Sequence, residues 1–238
     1  MMTEEHREPV GASAARQLEE PLLVEDLLLL LFQPDSGAIA GETTLFYVLG
    51  GAVVAELALR NLTEATGRPT HRVSARGEAP EDPVLRAAWD YLRTRALDPQ
   101  SAIAAIGPPL RGQVLDRLVG SGHLRRHKKK RLGFIPSTSF TLGSARRSEL
   151  LAGVRATLVD AAEPDARTAA LAALLSASAN LHQFDPEIPW TSAVIHRAKD
   201  LENGSWGAAA AGTSVTMTTL SILLGALGAT SGANTAGR

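Results

Sequence analysis

Cysteine is absent from this 238-residue chain, which excludes disulfides, cysteine-ligated zinc and thiol nucleophiles. Aromatic residues make up only 4% of the sequence, so leucine, alanine and valine must fill the core. Leucine and alanine favour helix, whereas the runs of β-branched and aromatic residues that are typical of long strands are scarce. These shortages predict a mainly α fold, a single globular domain built around a central helix bundle.

Net charge is also small, at −1, so an electrostatic partner must be held by a local patch rather than by the field of the whole chain. Residues 203–237 carry no charge at all. Residues 213–228 nevertheless make a poor membrane span, because six of the sixteen side chains bear hydroxyls. We interpret them as part of a buried terminal helix. The first sixteen residues lack the apolar stretch of a signal peptide. The absence of cysteine fits a reducing, cytoplasmic compartment.

Motifs that carry catalysis are missing. The sequence has no HExxH, P-loop, GxGxxG or GxSxG pattern, and its six histidines are scattered. Glu25 and Asp26 point about 100° apart on a helix, so we interpret them as hydrogen-bonded or helix-end charges rather than as a catalytic pair. The dispersed Trp89, Trp190 and Trp206 are interpreted as packing anchors. We therefore expect no catalytic residue, no cofactor, no metal and no enzymatic activity.

The order of apolar and turn-forming segments predicts the organisation of the chain. Residues 1–19 are expected to be a flexible leader, 20–228 the helical domain and 229–238 a flexible tail. The domain contains predicted helices at 22–32, 44–62, 83–94, 101–106, 110–121, 144–161, 165–182, 191–202 and 206–228. A Pro- and Gly-containing turn at 33–37 ends the first helix, and 63–83 is predicted to be a surface connection. Glu56 and Arg60 have the spacing that places them on one helix face.

One basic segment interrupts the predicted helices. Six of the seven residues at 125–131 are Lys or Arg, and apolar residues, a proline and a β-prone run follow directly. This pattern predicts a projecting β-hairpin at about 123–142. Clustered cations near an anionic membrane contribute roughly 1 kcal/mol each, which predicts peripheral docking on anionic phospholipid. The expected phosphate contacts are Arg111, Arg125, Arg126, Lys128, Lys129, Lys130 and Arg131, and the expected insertion residues are Leu132, Phe134 and Ile135.

Two other partners fit the same hairpin. A helix, a turn and a basic hairpin at 110–142 also resemble a winged-helix module, whose cations would contact nucleic-acid phosphates. The helix offers only Arg111, Gln113 and Arg117 for such contacts, fewer than a recognition helix usually presents. The residues therefore favour lipid over nucleic acid. The remaining alternative is a protein-interaction scaffold whose hairpin mediates oligomerisation without lipid.

Four segments, taken in order, resemble Golgi phosphoprotein 3-type domains. They are the leucine block at 22–32 with its DSG turn, GGAVVAELALR at 50–60, LRGQVLDRLVGSGHL at 110–124 with the hairpin, and DARTAALAALLSASANLH at 165–182. The resemblance implies a mostly helical domain with a projecting hairpin, covering roughly residues 20–225. Eukaryotic members bind phosphatidylinositol 4-phosphate on the cytoplasmic face of Golgi membranes and contact glycosyltransferase tails. Their hairpin also serves membrane insertion and self-association. The Ala/Arg-rich, Lys-poor usage is compatible with a bacterial homologue.

The resemblance also implies where a lipid headgroup would bind. The family uses a Trp after the first helix, an Arg opening the second, and two Arg spaced by three before the hairpin. These positions correspond here to Gly41, Gly50, Pro108 and Arg111, so only Arg111 is kept. We therefore expect the hairpin to provide general attraction to anionic lipid rather than selectivity for one headgroup.

Overall fold

The computed structural model describes residues 21–67, 70–131, 135–204 and 221–227, without the side chains of 129–131 and 135–137. Two antiparallel hairpins accompany the helices: β1 (Thr63–Thr66) pairs with β2 (Arg72–Ala75), and β3 (Leu124–Arg131) pairs with β4 (Ile135–Leu142). The helices are α1 (Leu23–Leu31), α2 (Leu45–Leu59), α3 (Pro83–Thr94), α4 (Pro99–Ile106), α5 (Leu110–Gly120), α6 (Arg146–Leu158), α7 (Ala166–Ala177), a 3₁₀ helix (Leu181–Phe184) and α8 (Ser192–Glu202). Residues 221–227 are also helical. The predicted mainly α class is confirmed.

Helix α1 lies at the centre of the fold. All nine of its residues are buried, because leucines surround the helix and α2, α5, α6 and α7 pack against it. The chain turns directly after it, and Gly37 there adopts a φ of +70°, which glycine accepts without the strain that a side chain would bring. Both the buried central helix and the turn were predicted from the leucine block and its QPDSG continuation.

Helix α2 packs closely against α4 through small residues. An added Cβ at Gly50 would overlap the carbonyl oxygen of Ile103, so only glycine permits this approach of the two backbones. On the same helix, Arg60 Nε lies 2.8 Å from Glu56 Oε1, as the spacing of four predicted. Leu59 ends the helix, three residues before the predicted boundary.

The segment 63–83 corrects one prediction. It was expected to be a surface connection, but it contains β1 and β2, so the structure has a second hairpin besides the basic one. Val73 of β2 is buried, and its backbone N–H donates to the carbonyl oxygen of Leu97 at 2.7 Å. Strands of four residues are too short to give a clear alternating pattern. Leu97, which bonds to Val73, lies more than twenty residues further along the chain, so the sequence gives no local sign of that contact.

Two predictions near the C-terminal half also need correction. The helix expected at 165–182 ends at Ala177, and Ala179 with a φ of +59° separates it from the 3₁₀ helix. Trp190 is not a packing anchor, since 50% of its surface is exposed, whereas Trp89 is buried as predicted.

The predicted leader 1–19, tail 229–238, Trp206 and most of the helix at 206–228 lie outside the described residues. Within the ranges that the structure describes, no helix is both long and apolar enough to cross a membrane.

Candidate functional site

The basic hairpin predicted at 123–142 is formed by β3 and β4. Their register pairs Leu124 with Leu142 and Arg126 with Phe140. Leu124 is buried, and both Phe140 and Leu142 pack partly buried against the core. At the base, Gly143 N–H donates to the carbonyl oxygen of His123 at 2.9 Å, and β3 contacts α5. The base is therefore fixed to the helical body.

Arg125 and Lys128 are the exposed cations of the hairpin whose side chains stand without a carboxylate partner in the described part of the chain. Thr141 and Thr138 lie opposite them on β4. No Asp or Glu occurs anywhere between residues 132 and 145, so the second strand supplies no compensating charge. The positive charge of these two residues is consequently available to an external anion.

Arg126 has a different environment from its two neighbours. Its guanidinium forms an ion pair with Asp116 of α5 and lies 5.5 Å from the centroid of the Phe140 ring. Asp116 is 67% exposed, and ion pairs this exposed are typically worth about 1 kcal/mol or less. Arg126 thus fastens β3 to α5, and its charge is already partly compensated.

The other predicted hairpin residues are only partly described. The backbones of Lys129, Lys130 and Arg131 belong to β3, opposite Ser137, Pro136 and Ile135, but their side chains are outside the description. Among the predicted insertion residues, Leu132 and Phe134 lie outside the described residues, and Ile135 is described by its backbone alone. Their roles in lipid contact stay predictions.

Arg111 is not part of the hairpin cluster. It lies at the start of α5, and its Nε forms an ion pair with Glu42 in the loop before α2. The two side chains are about half exposed, at 49% and 50%. The prediction grouped Arg111 with the hairpin cations, but the structure gives it an acidic partner 69 residues away in sequence. That separation leaves no local signal of the pair in the sequence.

Two of the four positions that correspond to the family's headgroup site are glycines without room for a side chain. Gly41 has a φ of +68°, and an added Cβ would overlap the side chain of Asn180. An added Cβ at Gly50 would overlap the carbonyl oxygen of Ile103, and one at Gly107, which precedes Pro108, would overlap the carbonyl oxygen of Phe46. A tryptophan at 41 or an arginine at 50 therefore does not fit this backbone, and Glu42 places a negative charge beside the one arginine that is kept.

A buried ion network surrounds the N-terminal half of α1. Arg117 of α5 contacts Glu25 Oε2 at 3.1 Å and Asp82 Oδ2 at 2.8 Å. Burial acts to lower the pKa of Arg117, but its bonds to these two carboxylates outweigh burial and raise the pKa overall. The arginine is accordingly held charged in its partly buried position.

Two further arginines complete this network from α6 and α7. Arg146 makes a bidentate contact with Asp26, at 2.7 Å and 2.9 Å. Arg167 contacts Asp26 Oδ2 at 2.9 Å and Glu56 Oε2 at 3.0 Å. Asp26 and Glu56 are both buried, so these arginines compensate charges that would otherwise be very costly. The interpretation of Glu25 and Asp26 as hydrogen-bonded structural charges is confirmed.

The network holds both helices that flank the hairpin, since Arg117 lies on α5 and Arg146 opens α6. It also bears on the nucleic-acid alternative. Of the three residues that α5 offers for contacts to bases or phosphates, Arg111 and Arg117 are engaged with carboxylates. Only Gln113 keeps its polar group free of such a pairing.

A cleft of about 250 Å³ opens beside the network, lined in part by Asp26, Arg146, Glu149 and Arg167. The two arginines are already bonded to Asp26, so they are structural parts of its wall. Across the described residues, no group of three or more His, Asp or Glu side chains could hold a metal ion.

Comparison with known proteins agrees with the architecture. No curated protein matches the chain. The family model described as Golgi phosphoprotein 3 (GPP34) matches residues 23–218, from the first residue of α1 to a point beyond α8. This range covers most of the sequence and includes the leucine block, the hairpin and the ion network. The chain belongs to the Golgi phosphoprotein 3 (GPP34) family.

Proposed function

We propose that this protein is a non-enzymatic, peripheral membrane protein that docks on the anionic, cytoplasmic face of a membrane through the β3–β4 hairpin. The observation that carries the proposal is the uncompensated charge of Arg125 and Lys128 on a hairpin whose base is fixed to the core. Family membership supports the same kind of role.

The contrast with the rest of the chain strengthens this proposal. Within the described residues, eight arginines outside the hairpin pair with carboxylates: Arg60, Arg86, Arg93, Arg111, Arg117, Arg146, Arg155 and Arg167. Arg125 and Lys128 of the hairpin instead face threonines. At about 1 kcal/mol for each cation near an anionic leaflet, Arg125 and Lys128 supply about 2 kcal/mol before Lys129, Lys130 and Arg131 are counted. That magnitude suits reversible, salt-sensitive docking.

We further propose that the attraction depends on charge density rather than on one headgroup. The family resemblance suggests phosphatidylinositol 4-phosphate, but side chains added at Gly41 and Gly50 would overlap Asn180 and Ile103. Glu42 beside Arg111 would also repel a phosphate. We expect vesicles that contain phosphatidylserine and vesicles that contain phosphoinositides to bind the protein equally well when their surface charge densities are matched.

Vesicle co-sedimentation tests this proposal with two charge-matched variants. Arg125→Ser/Lys128→Ser removes two uncompensated hairpin cations, whereas Arg86→Ser/Arg155→Ser removes two exposed body cations that already have carboxylate partners. The hairpin variant should bind vesicles containing phosphatidylserine about 30-fold more weakly, and the control should bind like the unmodified protein. Neutral phosphatidylcholine vesicles should bind neither variant nor the unmodified protein.

Equal binding to neutral and anionic vesicles, or equal losses in both variants, would overturn the proposal. A gel shift with random duplex DNA at the same salt concentration tests the nucleic-acid alternative: tight DNA binding without vesicle binding would favour it. Size-exclusion chromatography of a protein whose hairpin is deleted tests the scaffold alternative. The scaffold alternative would be supported if deleting the hairpin dissociates an oligomer and the intact protein does not bind vesicles.

A further inference from the structure

We propose that Trp190 is a second point of contact with the bilayer, an aromatic anchor that enters the membrane interface beside the basic hairpin. The inference rests on the proposed membrane docking and adds to it an apolar contact from a different part of the chain. The sequence predicts a packing role for Trp190, and the structure instead leaves half of its surface exposed.

The exposure of Trp190 is unusual within this protein. Among the described residues, Phe46 and Trp190 are the exposed large hydrophobic side chains, and Trp190 is the more exposed of the two. A tryptophan carries the largest apolar surface of any side chain together with one polar N–H group. An indole ring exposed to this extent can place an apolar surface and a polar N–H group against a partner outside the chain.

The surrounding backbone holds Trp190 in place. Ile188, two residues earlier, is fully buried, and its N–H donates to the carbonyl oxygen of Phe184 at 2.8 Å. Thr191, directly after it, caps α8 by accepting a hydrogen bond from Val194 N–H. The indole ring also lies edge-on to His182, with ring centroids 6.0 Å apart. An anchor that is already ordered loses little conformational freedom on binding.

Two separate contacts place this region next to the hairpin base. Arg147 follows the end of β4 by five residues and lies 5.9 Å from the Phe184 ring of the 3₁₀ helix. The loop before α2 forms the other link, because Gly37 approaches the backbone of Phe140 in β4 while Gly41 abuts Asn180, just before the 3₁₀ helix. These contacts place the 3₁₀ helix near the base of the hairpin.

A bilayer is the partner that fits a single exposed indole in this region. A stable protein interface buries about 800 Å² on each partner, far more than one side chain offers. Tryptophan is instead enriched at membrane–water interfaces, where its ring sits at headgroup level. The exposed Asp185 and Glu187 in the same turn repel anionic lipid, so the favourable contribution of Trp190 is apolar and has to outweigh that repulsion. Docking would then combine charge from the hairpin with apolar burial from this turn.

Tryptophan fluorescence tests the proposal on the full chain. A Trp206→Phe protein keeps Trp89 and Trp190, and the additional Trp190→Phe change leaves only the buried Trp89 as a matched control. With phosphatidylserine vesicles, the emission of the Trp206→Phe protein should shift to shorter wavelength and be quenched by brominated acyl chains. The Trp190→Phe/Trp206→Phe control should show neither change under the same conditions.

Affinity provides an independent readout. Trp190→Ala should weaken vesicle binding about 30-fold, because roughly half of a tryptophan surface leaves water on insertion. It should leave the slope of affinity against salt unchanged, whereas Arg125→Ser/Lys128→Ser should reduce that slope. Vesicle binding with no shift or quenching from Trp190 overturns this inference and leaves the proposed function standing. Absence of any vesicle binding overturns both.

Discussion

Two groups of arginine and lysine in this protein lie close together in the fold but differ in their surroundings. The buried network gives Arg117, Arg146 and Arg167 carboxylates from three other segments. Arg125 and Lys128, on the hairpin between α5 and α6, face hydroxyl side chains instead. Cationic side chains that contact carboxylates stabilise the core. Cationic side chains without a carboxylate partner remain available to external anions. Local compensation of charge separates the two roles.

The largest expected effect concerns the centre of the network. Asp26→Ala would leave Arg146 and Arg167 without their shared carboxylate in a position about three-quarters buried, which should cost about 3 kcal/mol of the free energy of unfolding. Urea denaturation monitored by circular dichroism measures this loss. Asp90→Ala is the control, since its carboxylate is half exposed and pairs weakly with Arg86 and Arg93. Equal losses in the two variants would contradict the structural role assigned to Asp26.

A smaller effect should follow from converting a paired arginine into an unpaired one. Glu42→Gln removes the acidic partner of Arg111. The charge of Arg111 is then uncompensated, like that of Arg125 and Lys128. We expect about fivefold tighter binding to phosphatidylserine vesicles, corresponding to about 1 kcal/mol for one cation. Because the pair is exposed, the free energy of unfolding should change by about 0.5 kcal/mol or less. Unchanged vesicle binding would mean that Arg111 lies away from the docking surface.

The smallest effect concerns a carboxylate outside the network. Asp98 caps α4 and accepts hydrogen bonds from Ser101. The bond from the Ser101 side chain lowers the pKa of Asp98 most, and the bond from the Ser101 backbone lowers it further. Because the folded-state pKa lies below the unfolded value, this contribution to stability is present above about pH 4 and is lost as pH falls through the lowered pKa.

Asp98→Ala should accordingly lower the free energy of unfolding by about 0.5–1 kcal/mol at neutral pH. Asp98→Asn, which can still cap the helix, should keep most of that stability but lose its dependence on acid. Urea denaturation at pH 7 and pH 3 distinguishes the two variants. A loss with Asp98→Ala that is the same at both pH values would contradict this explanation.

The sequence predicted those features that local patterns encode. The leucine block identifies α1 as central because no face of it is polar enough for solvent. The basic run followed by β-prone residues identifies the hairpin to within a residue or two. The sequence carried no sign of β1 and β2, whose strands have only four residues each, or of the bridge between Val73 and Leu97. It also assigned Trp190 to the core, since hydrophobicity does not indicate whether other residues cover a side chain.

For the candidate site, the sequence by itself determined that six cations lie together at 125–131 and that no acidic residue follows them before residue 146. Only the tertiary structure decided which cations remain available. Arg117 meets Glu25 across 92 residues and Arg146 meets Asp26 across 120, and Arg111 meets Glu42 in the same way. Helix periodicity and charge runs are local properties of the chain. Ion pairing across such separations depends on how α1, α5, α6 and α7 pack together, and that packing distinguishes the compensated arginines of the core from the uncompensated charge of the hairpin.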